Sequence, residues 1–240
     1  MGGHVAIYPM FSPSRQNERR GDIIEMLKWR YRVQDIIDYS GLERDGIYLE
    51  GTGAMVLDHI ERVAYAAKSN RTNEVALERF CTHFNFEPIV FDAADAVGRR
   101  IYHTNVLMCI GSDLALVGLD TIQNPGRRQE VRERLETTGR VVIDLTHRQI
   151  EQFAGNAIEL QGSDGRLLAL SHRALESFRP EQIALIESHL SLLPLDVPTI
   201  ELAGGSVRCM LAGIHLAPRS SHIGVTVAHR RYVAAIPPVQ

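Results

Sequence analysis

The chain has 240 residues, of which 45% are hydrophobic and 23% charged, and its formal net charge is −3. This length allows one large domain or two small ones with a sizeable core, and the slight negative charge gives no indication of nucleic-acid binding. No apolar run reaches the roughly 20 residues that a membrane-spanning helix needs, so we expect no interaction with a membrane.

The first 41 residues predict one strand and one helix. Residues 5–8 are apolar and predict a strand that Pro9 ends. Asn17 is a suitable N-cap, and the apolar pattern after it predicts a helix. Arg15 and the other basic residues of this stretch alternate with acids, which is typical of a solvated helix face. The residues expected to face the core are Ile23, Ile24, Leu27 and Tyr31.

From residue 47 onward, a pattern of three strands and a helix recurs about four times. Such a recurrence is typical of stacked or radially arranged supersecondary units. The predicted strands are 47–49, 54–57 and 63–66, then 89–91, 106–110 and 114–117, then 141–145, 157–160 and 167–170, and finally 192–195, 200–202 and 213–216. The predicted helices begin after Asn73, near Arg127, after Thr146 and at Pro180, and the first of them turns Leu77, Phe80, Cys81 and Phe84 to the core.

An incomplete unit precedes these four. It contains the strand at 5–8 and the helix after Asn17, and the position one interval before Glu50 falls ahead of Met1. We therefore expect the chain to start inside its first repeat and to leave a sheet edge open. Beyond Pro218 the sequence shows little pattern except a strand-like stretch at 224–228, which predicts a loosely held tail.

Cys209 is the candidate nucleophile. Gly204 and Gly205 precede it, and glycine lets the backbone approach a reaction centre closely. A catalytic thiol needs a base and an orienting group from distant parts of the chain. The alternative is a packing role, which the apolar surroundings of Cys81 and Cys109 predict for those two thiols.

The three cysteines are far apart and odd in number, so they do not predict a disulfide framework. The N-terminus also lacks the basic segment and apolar stretch of a secretory signal. We therefore expect a cytoplasmic protein with reduced thiols.

A regular interval connects the polar candidates. Glu50 and His103 are 53 residues apart, and Cys209 lies twice as far beyond His103. Asn156 occupies the midpoint of that second interval, just ahead of an apolar stretch. Equivalent positions of a radial repeat lie round one centre, so the spacing predicts that these residues form one site. The alternative for His103 is a structural histidine at the start of a strand.

Other kinds of site have little support in the sequence. Asp58, His59 and His103 are conceivable metal ligands, but the HxH, HxxxH and CxxC spacings do not occur. The glycines of residues 51–53 and 204–205 do not complete a GxGxxG or P-loop motif. We expect neither a metal nor another cofactor.

Four motifs in order resemble the guanidine-modifying pentein superfamily. They are LEGTG at 49–53, SNRT at 69–72, YHTN at 102–105 and GGSVRCML at 204–211. The superfamily includes arginine deiminases, dimethylarginine dimethylaminohydrolases and glycine amidinotransferases, and the chain is most similar to bacterial amidinotransferase-like citrulline-utilisation hydrolases. The resemblance covers about residues 5–216.

This resemblance implies an α/β fold, a five-fold pseudo-symmetric α/β propeller round a polar centre, with the first repeat incomplete. Residues 1–216 would form the pentein catalytic domain, shortened at its N-terminus, and residues 217–240 a C-terminal tail. Relatives carry a further segment ahead of the equivalent of Val5, and that segment lines their pocket.

The resemblance also implies the chemistry of the site. Cys209 would attack the carbon of a guanidinium or ureido group, His103 would act as general acid and base, and Glu50 would hold the cationic group. Arg71 aligns with an arginine that contacts the substrate carboxylate in deiminases, whereas Asn105 stands where deiminases have an aspartate. The substrate-binding residues expected on this basis are Arg71, Asn105, Asn156 and Gly205.

Three functional hypotheses remain open at this point. The first is a hydrolase that cleaves a C–N bond of a small guanidino or ureido amino acid of the arginine, methylarginine or citrulline type. The second is an amidinotransferase that uses the same residues with an amine acceptor. The third is a non-catalytic, truncated pentein that acts as a binding module, whose open sheet edge would pair with a second copy to form a homo-oligomer.

Overall fold

The computed structural model describes residues 3–219. Within that range the chain forms three three-stranded sheets and one two-stranded sheet, connected by short helices. The strands are β1 (His4–Ile7), β2 (Asp35–Asp38), β3 (Met55–Asp58), β4 (Val63–Ala67), β5 (Glu87–Phe91), β6 (Met108–Ile110), β7 (Leu114–Val117), β8 (Val141–Asp144), β9 (Ile158–Gln161), β10 (Arg166–Ser171) and β11 (Ser191–Leu195). The α-helices are α1 (Pro13–Gln16), α2 (Gly21–Arg30), α3 (Gly51–Ala54), α4 (Glu74–Phe84), α5 (Pro125–Glu136), α6 (His147–Glu151), α7 (His172–Ser177), α8 (Pro180–Glu187) and α9 (Pro198–Glu201).

The three larger sheets share one topology. The first two strands of each sheet pair antiparallel as a hairpin, and the third returns through a helical connection to pair parallel with the second. This confirms a repeated unit, but its order is strand, strand, helix, strand, because the strands at 87–91, 141–144 and 191–195 complete the preceding sheets. Three such units, and not the four expected, lie between residue 47 and the end of the described residues. Parallel pairing requires a crossover long enough to hold a helix, which explains that order.

The N-terminal region differs from the sequence-based prediction. Asn17 ends the short helix α1 instead of capping a long one, because Pro13 already supplies a helix start. The helix α2 that follows has no buried residue, and Ile23 is 43% exposed. The prediction also missed β2, which pairs parallel with β1 and has only two apolar residues between two aspartates.

Three further strand predictions were wrong. Only Leu49 of residues 47–49 forms a β-bridge, with Thr72. Residues 200–202 lie in and just after α9, where Pro198 begins the helix and has no N–H for a ladder. Residues 213–216 do not form a strand either, and the stretch at 224–228 lies outside the described residues. The residues that the structure describes thus form a mixed α/β fold with four sheets. The arrangement of the units as a closed, five-fold propeller stays a prediction.

Strand β4 connects the two hydrophobic clusters of the core. Its alternate residues Val63, Tyr65 and Ala67 belong to the larger cluster, while Ala64 and Ala66 belong to the smaller one. Successive side chains of a strand point to opposite faces, so a strand that is buried on both sides is apolar throughout. The burial of all five residues of β4 agrees with this, and the four-residue apolar run 63–66 was predicted correctly as a strand.

A buried ion pair joins the first two three-stranded sheets. Arg140 donates to both carboxylate oxygens of Asp58 at 2.7 and 3.0 Å, and its Nε donates to the carbonyl of Gly111. Both side chains are at most 2% exposed. A bidentate pair with its remaining donors satisfied avoids the cost of an uncompensated buried charge. Between residues 3 and 219 we find no helix with the length and apolarity to cross a membrane.

Candidate active site

Glu50 is held by backbone on both sides. Its amide donates to the carbonyl of Arg71 at 3.1 Å, next to the bridge between Leu49 and Thr72. Gly51 follows with φ of 58°, and a Cβ there would lie 3.2 Å from the ring of Tyr8. The left-handed conformation and the close ring both favour glycine, so this residue type fixes the turn after Glu50.

The carboxylate of Glu50 is surrounded by donors. Oε1 accepts from the amide of Phe11 at 3.1 Å, and Oε2 lies 2.9 Å from His103 Nε2, 3.3 Å from Arg15 Nη1 and 3.5 Å from Arg71 Nη1. Burial raises the pKa of this carboxyl, but the hydrogen bonds from His103 and Phe11 and the charge of Arg71 together lower the pKa by more than burial raises it. The net pKa is below the ordinary 4.5, so Glu50 is ionised at neutral pH.

His103 is buried beside Glu50, at 7% exposure, and its orientation is fixed. A carboxylate only accepts hydrogen bonds, so Nε2 carries the proton that it shares with Glu50, and in the neutral ring Nδ1 is the basic nitrogen. A Cβ on Gly53 would lie 2.9 Å from Nδ1, so only glycine lets α3 approach the ring this closely. The next residue, Thr104, bonds the backbone of Ala54 and Ala67 and holds this segment in place.

Cys209 lies in a 3-10 helix, Val207–Met210, and its residue is exposed. Its Sγ accepts from Asn156 Nδ2 at 3.2 Å and from Asn105 Nδ2 at 3.4 Å. Gly205 packs against it, because a Cβ at that position would be 3.1 Å from the sulfur. A larger residue at 205 would therefore displace the thiol or its loop.

Asn156 holds the cysteine loop. Its Oδ1 accepts from the amide of Ser206 at 3.0 Å, its Nδ2 donates to the carbonyl of Asn105 at 2.8 Å, and its carbonyl accepts from the amide of Arg208. It is 1% exposed. Since these contacts are with the protein, a substrate contact by Asn156 stays a prediction.

Tyr102 connects the group around Glu50 with the segment that carries Cys209. Its hydroxyl donates to the carbonyl of Gly204 in the cysteine loop at 2.8 Å, and its carbonyl accepts from Ser69 Oγ at 2.8 Å. The guanidinium of Arg71 lies over its ring at 4.9 Å. The structure thus brings all seven predicted residues into one contiguous network. They are Glu50, Arg71, His103, Asn105, Asn156, Gly205 and Cys209.

Arg15 is a member of this network that the sequence interpretation missed. It lies in α1 and reaches Glu50, although it also forms a pair with Glu18 at 3.0 Å. The spacing of Arg15 and Glu18 is that of an ordinary surface pair on a helix, so the sequence offered no signal for the longer contact.

No cluster of three or more His, Cys, Asp or Glu side chains suited to a metal occurs among the residues the structure describes. A cavity of about 310 Å³ lies elsewhere, beside α9, and its lining contains none of Glu50, His103 or Cys209.

Comparison with known families identifies the fold. A family model described as eukaryotic N,N dimethylarginine dimethylhydrolase matches residues 1–216. The chain belongs to this family of guanidine-modifying penteins. A search of curated proteins gave no match for this pentein.

Solved structures with the same fold include three proteins. The pentein is 15% identical to apo ArgZ, a cyanobacterial arginine dihydrolase, with a TM-score of 0.66 over 88% of this chain and 30% of that one. Unliganded AgrE is 14% identical, with a TM-score of 0.70 over 92% of this chain and 30% of that one. SxtG, an amidinotransferase from Microseira wollei, is 11% identical, with a TM-score of 0.60 over 87% and 63%. At these identities the likeness concerns the fold.

Proposed function

We propose that this pentein hydrolyses a C–N bond of a guanidino or ureido amino acid, with Cys209 as nucleophile. The observation that carries the proposal is the ionised Glu50 at 2.9 Å from His103, in one network with a cysteine whose sulfur accepts two amide hydrogen bonds. A nucleophile, a base and a group that orients the base are the parts that covalent catalysis requires.

The reaction proceeds in two steps. The Cys209 thiolate attacks the central carbon, a C–S bond forms and the C–N bond breaks while protonated His103 gives its proton to the departing nitrogen. Neutral His103 then takes a proton from water, the oxygen of that water attacks the same carbon, and the C–S bond breaks to release the thiolate. Each enzyme group returns to its starting state.

Glu50 has two functions in this mechanism. Its hydrogen bond to His103 Nε2 fixes the ring and stabilises the imidazolium that protonates the leaving group. Its charge also attracts the cationic or polarised head group of the substrate, which requires correct placement before attack.

Arg15 and Arg71 bind the carboxylate of the amino-acid substrate. They contact the same oxygen of Glu50, yet their side chains remain 38% and 29% exposed. A guanidinium has five donors, so each can bind a substrate carboxylate and keep its contact with Glu50.

The charges near the site favour a neutral ureido head group, of the citrulline type, over a guanidinium. Arg15 and Arg71 both contact the single carboxylate of Glu50, and Asn105 supplies no further carboxylate. A guanidinium cation must therefore compete with two arginines for a single carboxylate. A ureido group avoids this competition and needs only hydrogen bonds.

Amidino transfer to an amine is a second candidate. It is supported by the structural likeness to SxtG, which is an amidinotransferase. ArgZ, by contrast, is an arginine dihydrolase, and AgrE has been solved with L-arginine. Product analysis with and without an added amine separates the two, because only a transferase forms a new guanidine on the acceptor.

A binding module without activity is the third candidate, and the two-stranded sheet of β1 and β2 supports it. The chain spans 30% of the length of the ArgZ and AgrE chains that it matches. If the two-stranded edge pairs with another copy, light scattering will detect a dimer, and a monomer would contradict that pairing.

The deciding experiment is an assay of amine or ammonia release from L-citrulline, L-arginine and N-methylated arginine. Wild type and Cys209→Ser are compared, with Cys81→Ser as a matched control in the core. We expect turnover that Cys209→Ser abolishes and Cys81→Ser preserves. Turnover that survives in Cys209→Ser would exclude the Cys209 thiolate as the required nucleophile, and no turnover on any substrate or acceptor would favour the binding module.

A further inference from the structure

Two side-chain amides donate to the sulfur of Cys209. Asn156 Nδ2 lies 3.2 Å from Sγ and Asn105 Nδ2 lies 3.4 Å from it. Both asparagines are almost completely buried, at 1% and 2% exposure, while the cysteine residue is exposed. An exposed cysteine residue thus has its sulfur in contact with two buried amide groups.

The orientation of the Asn156 amide follows from its other contacts. Its Oδ1 must face the amide hydrogen of Ser206, at 3.0 Å, and its Nδ2 must face the carbonyl of Asn105, at 2.8 Å. If the amide were rotated by 180°, Nδ2 would face the amide N–H of Ser206, donor against donor. Oδ1 would then face the carbonyl of Asn105, acceptor against acceptor. One hydrogen of Nδ2 thus goes to Asn105 and the other to the sulfur.

Asn105 is held at its backbone, so its side chain is free to serve the sulfur. Its carbonyl accepts from Asn156, and its Nδ2 donates to Cys209. Its Oδ1 is buried without a hydrogen-bond partner among residues 3–219. An unpaired buried acceptor is costly, so a leucine or alanine would be the cheaper residue here unless the amide has a role.

We propose that Asn105 and Asn156 form an amide cradle that stabilises the thiolate form of Cys209 and fixes the direction of its sulfur. This inference rests on the proposed function of Cys209 as nucleophile. An amide N–H only donates, so it favours the anionic sulfur over the thiol, and hydrogen bonds to an ionised group are stronger than neutral ones. The proton leaves to solvent on the exposed side.

Other charged groups near the sulfur act in addition to the cradle. Arg15 in α1 interacts electrostatically with Cys209, and Tyr102 does so from the segment before His103. Arg208 is the charged neighbour within the same 3-10 helix. The test must therefore change the amides and leave these groups in place.

The isosteric variants Asn105→Asp and Asn156→Asp replace a donor by an acceptor of the same shape. The pH dependence of Cys209 alkylation by iodoacetamide is followed by peptide mass spectrometry, with Asn124→Asp as the matched control. Asn124 caps α5 from an exposed position, and aspartate caps equally well. We expect the alkylation midpoint to rise by about one pH unit or more in both site variants and to stay unchanged in the control.

A third variant separates the loss of a donor from the gain of a charge. Asn105→Ala removes one donor without adding a carboxylate, and it leaves the contacts of Asn156 with Ser206 and the Asn105 carbonyl intact. We expect a rise in the midpoint that is smaller than in Asn105→Asp. If Asn156→Asp does not fold, Asn105→Ala still decides, and an unchanged midpoint in this folded variant would overturn the proposal.

The assay uses no substrate, so the cradle and the proposed function can fail separately. A raised midpoint together with no turnover on any substrate supports the cradle and contradicts the hydrolase. An unchanged midpoint in variants of an active wild type contradicts the cradle and leaves the hydrolase standing.

Discussion

His103 Nε2 lies 2.9 Å from Glu50 Oε2, and Arg15 and Arg71 contact the same oxygen. One carboxylate thus serves an imidazole and two guanidinium groups that come from three separate segments. Because the Glu50 side chain is only 1% exposed, its charge depends on these partners for compensation. Loss of the carboxylate therefore affects both the base and the arginines.

The variant Glu50→Gln tests this dependence. The neutral amide keeps the shape but removes the charge that stabilises the imidazolium, so we expect kcat to fall by about 10²-fold or more. The matched control is Glu43→Gln. Glu43 lies in the 3-10 helix Ser40–Asp45, and the change removes the charge of the carboxylate that pairs with Arg19. Steady-state kinetics on the accepted substrate measure both. An equal fall in the two variants would point to general loosening of the loop instead.

The three thiols are expected to differ sharply in reactivity. Burial raises the pKa of Cys81 and of Cys109 to about 12, whereas Cys209 is exposed. A thiolate is the reactive species, so alkylation near neutral pH should modify Cys209 alone. Peptide mass spectrometry measures this, and labelling in denaturant provides the control in which all three react. Equal labelling of the three in the native protein would contradict the structure.

Asn105→Asp is also expected to change substrate preference. The added carboxylate makes the site more negative, which favours a cationic head group over a neutral one. We expect the ratio of kcat/KM for L-arginine to that for L-citrulline to rise by about tenfold, which corresponds to about 1.4 kcal/mol. Competition assays measure the ratio, with Asn124→Asp as control. A fall in the ratio would contradict the electrostatic argument for a ureido substrate.

His59 should make the folded state sensitive to acid. Its ring stacks on that of His215 with centroids 4.1 Å apart, and burial, His215 and Arg62 lower its pKa from 6.5 to about 4, with smaller influences from Asp58 and Arg208. Its contribution to stability is complete above pH 6.5 and is lost as pH falls from 6.5 to 4, because the unfolded chain takes up the proton first.

The test compares Tm over this pH range in wild type and His59→Phe, which keeps a ring but cannot titrate. We expect wild type to lose about 3 °C or more relative to the variant between pH 6.5 and 4. His172→Gln, a change at an exposed histidine, serves as control. Parallel curves for wild type and His59→Phe would show that the ring pair does not respond to protonation.

The ion pair between Arg140 and Asp58 is expected to be essential for stability. Arg140→Met leaves a buried carboxylate without its bidentate partner, so we expect a loss of about 3–5 kcal/mol in the free energy of unfolding. The comparison is Arg166→Met, which breaks a partly exposed pair with Asp113 and should cost at most about 1 kcal/mol. Urea denaturation measures both. Similar losses of unfolding free energy in the two variants would mean that water reaches and solvates the Asp58 carboxylate once Arg140 is replaced.

Local capping signals were strong enough to place several helices from sequence. Asn73 accepts from the amide of Val75 at 2.9 Å, and Thr146 forms a complete capping box with Gln149. The core positions Leu77 and Phe80 are buried as their spacing predicted. In these cases the stabilising contacts lie within a few residues of sequence, so a pattern can report them.

The errors arose where distant contacts decide. Ile23 has the spacing of a core residue, yet it is 43% exposed and α2 contains no buried residue. Arg15 forms a local pair that hides its contact with Glu50, 35 residues away. Asn156 was placed in the site by the repeat interval, but its bonds to Ser206 and Asn105 depend on side-chain geometry that no interval encodes.

The spacing of 53 residues separates Glu50 from His103 and also Asn156 from Cys209. Each pair meets through contacts between neighbouring units, whereas the chain between the members of a pair runs out through hairpin turns such as the exposed stretch at 163–165. The spacing of 53 residues therefore reflects the length of one repeating unit, and the chemistry does not require it. A reporter peptide inserted in that turn would lengthen the path from Asn156 to Cys209 and leave their 3.2 Å contact unchanged.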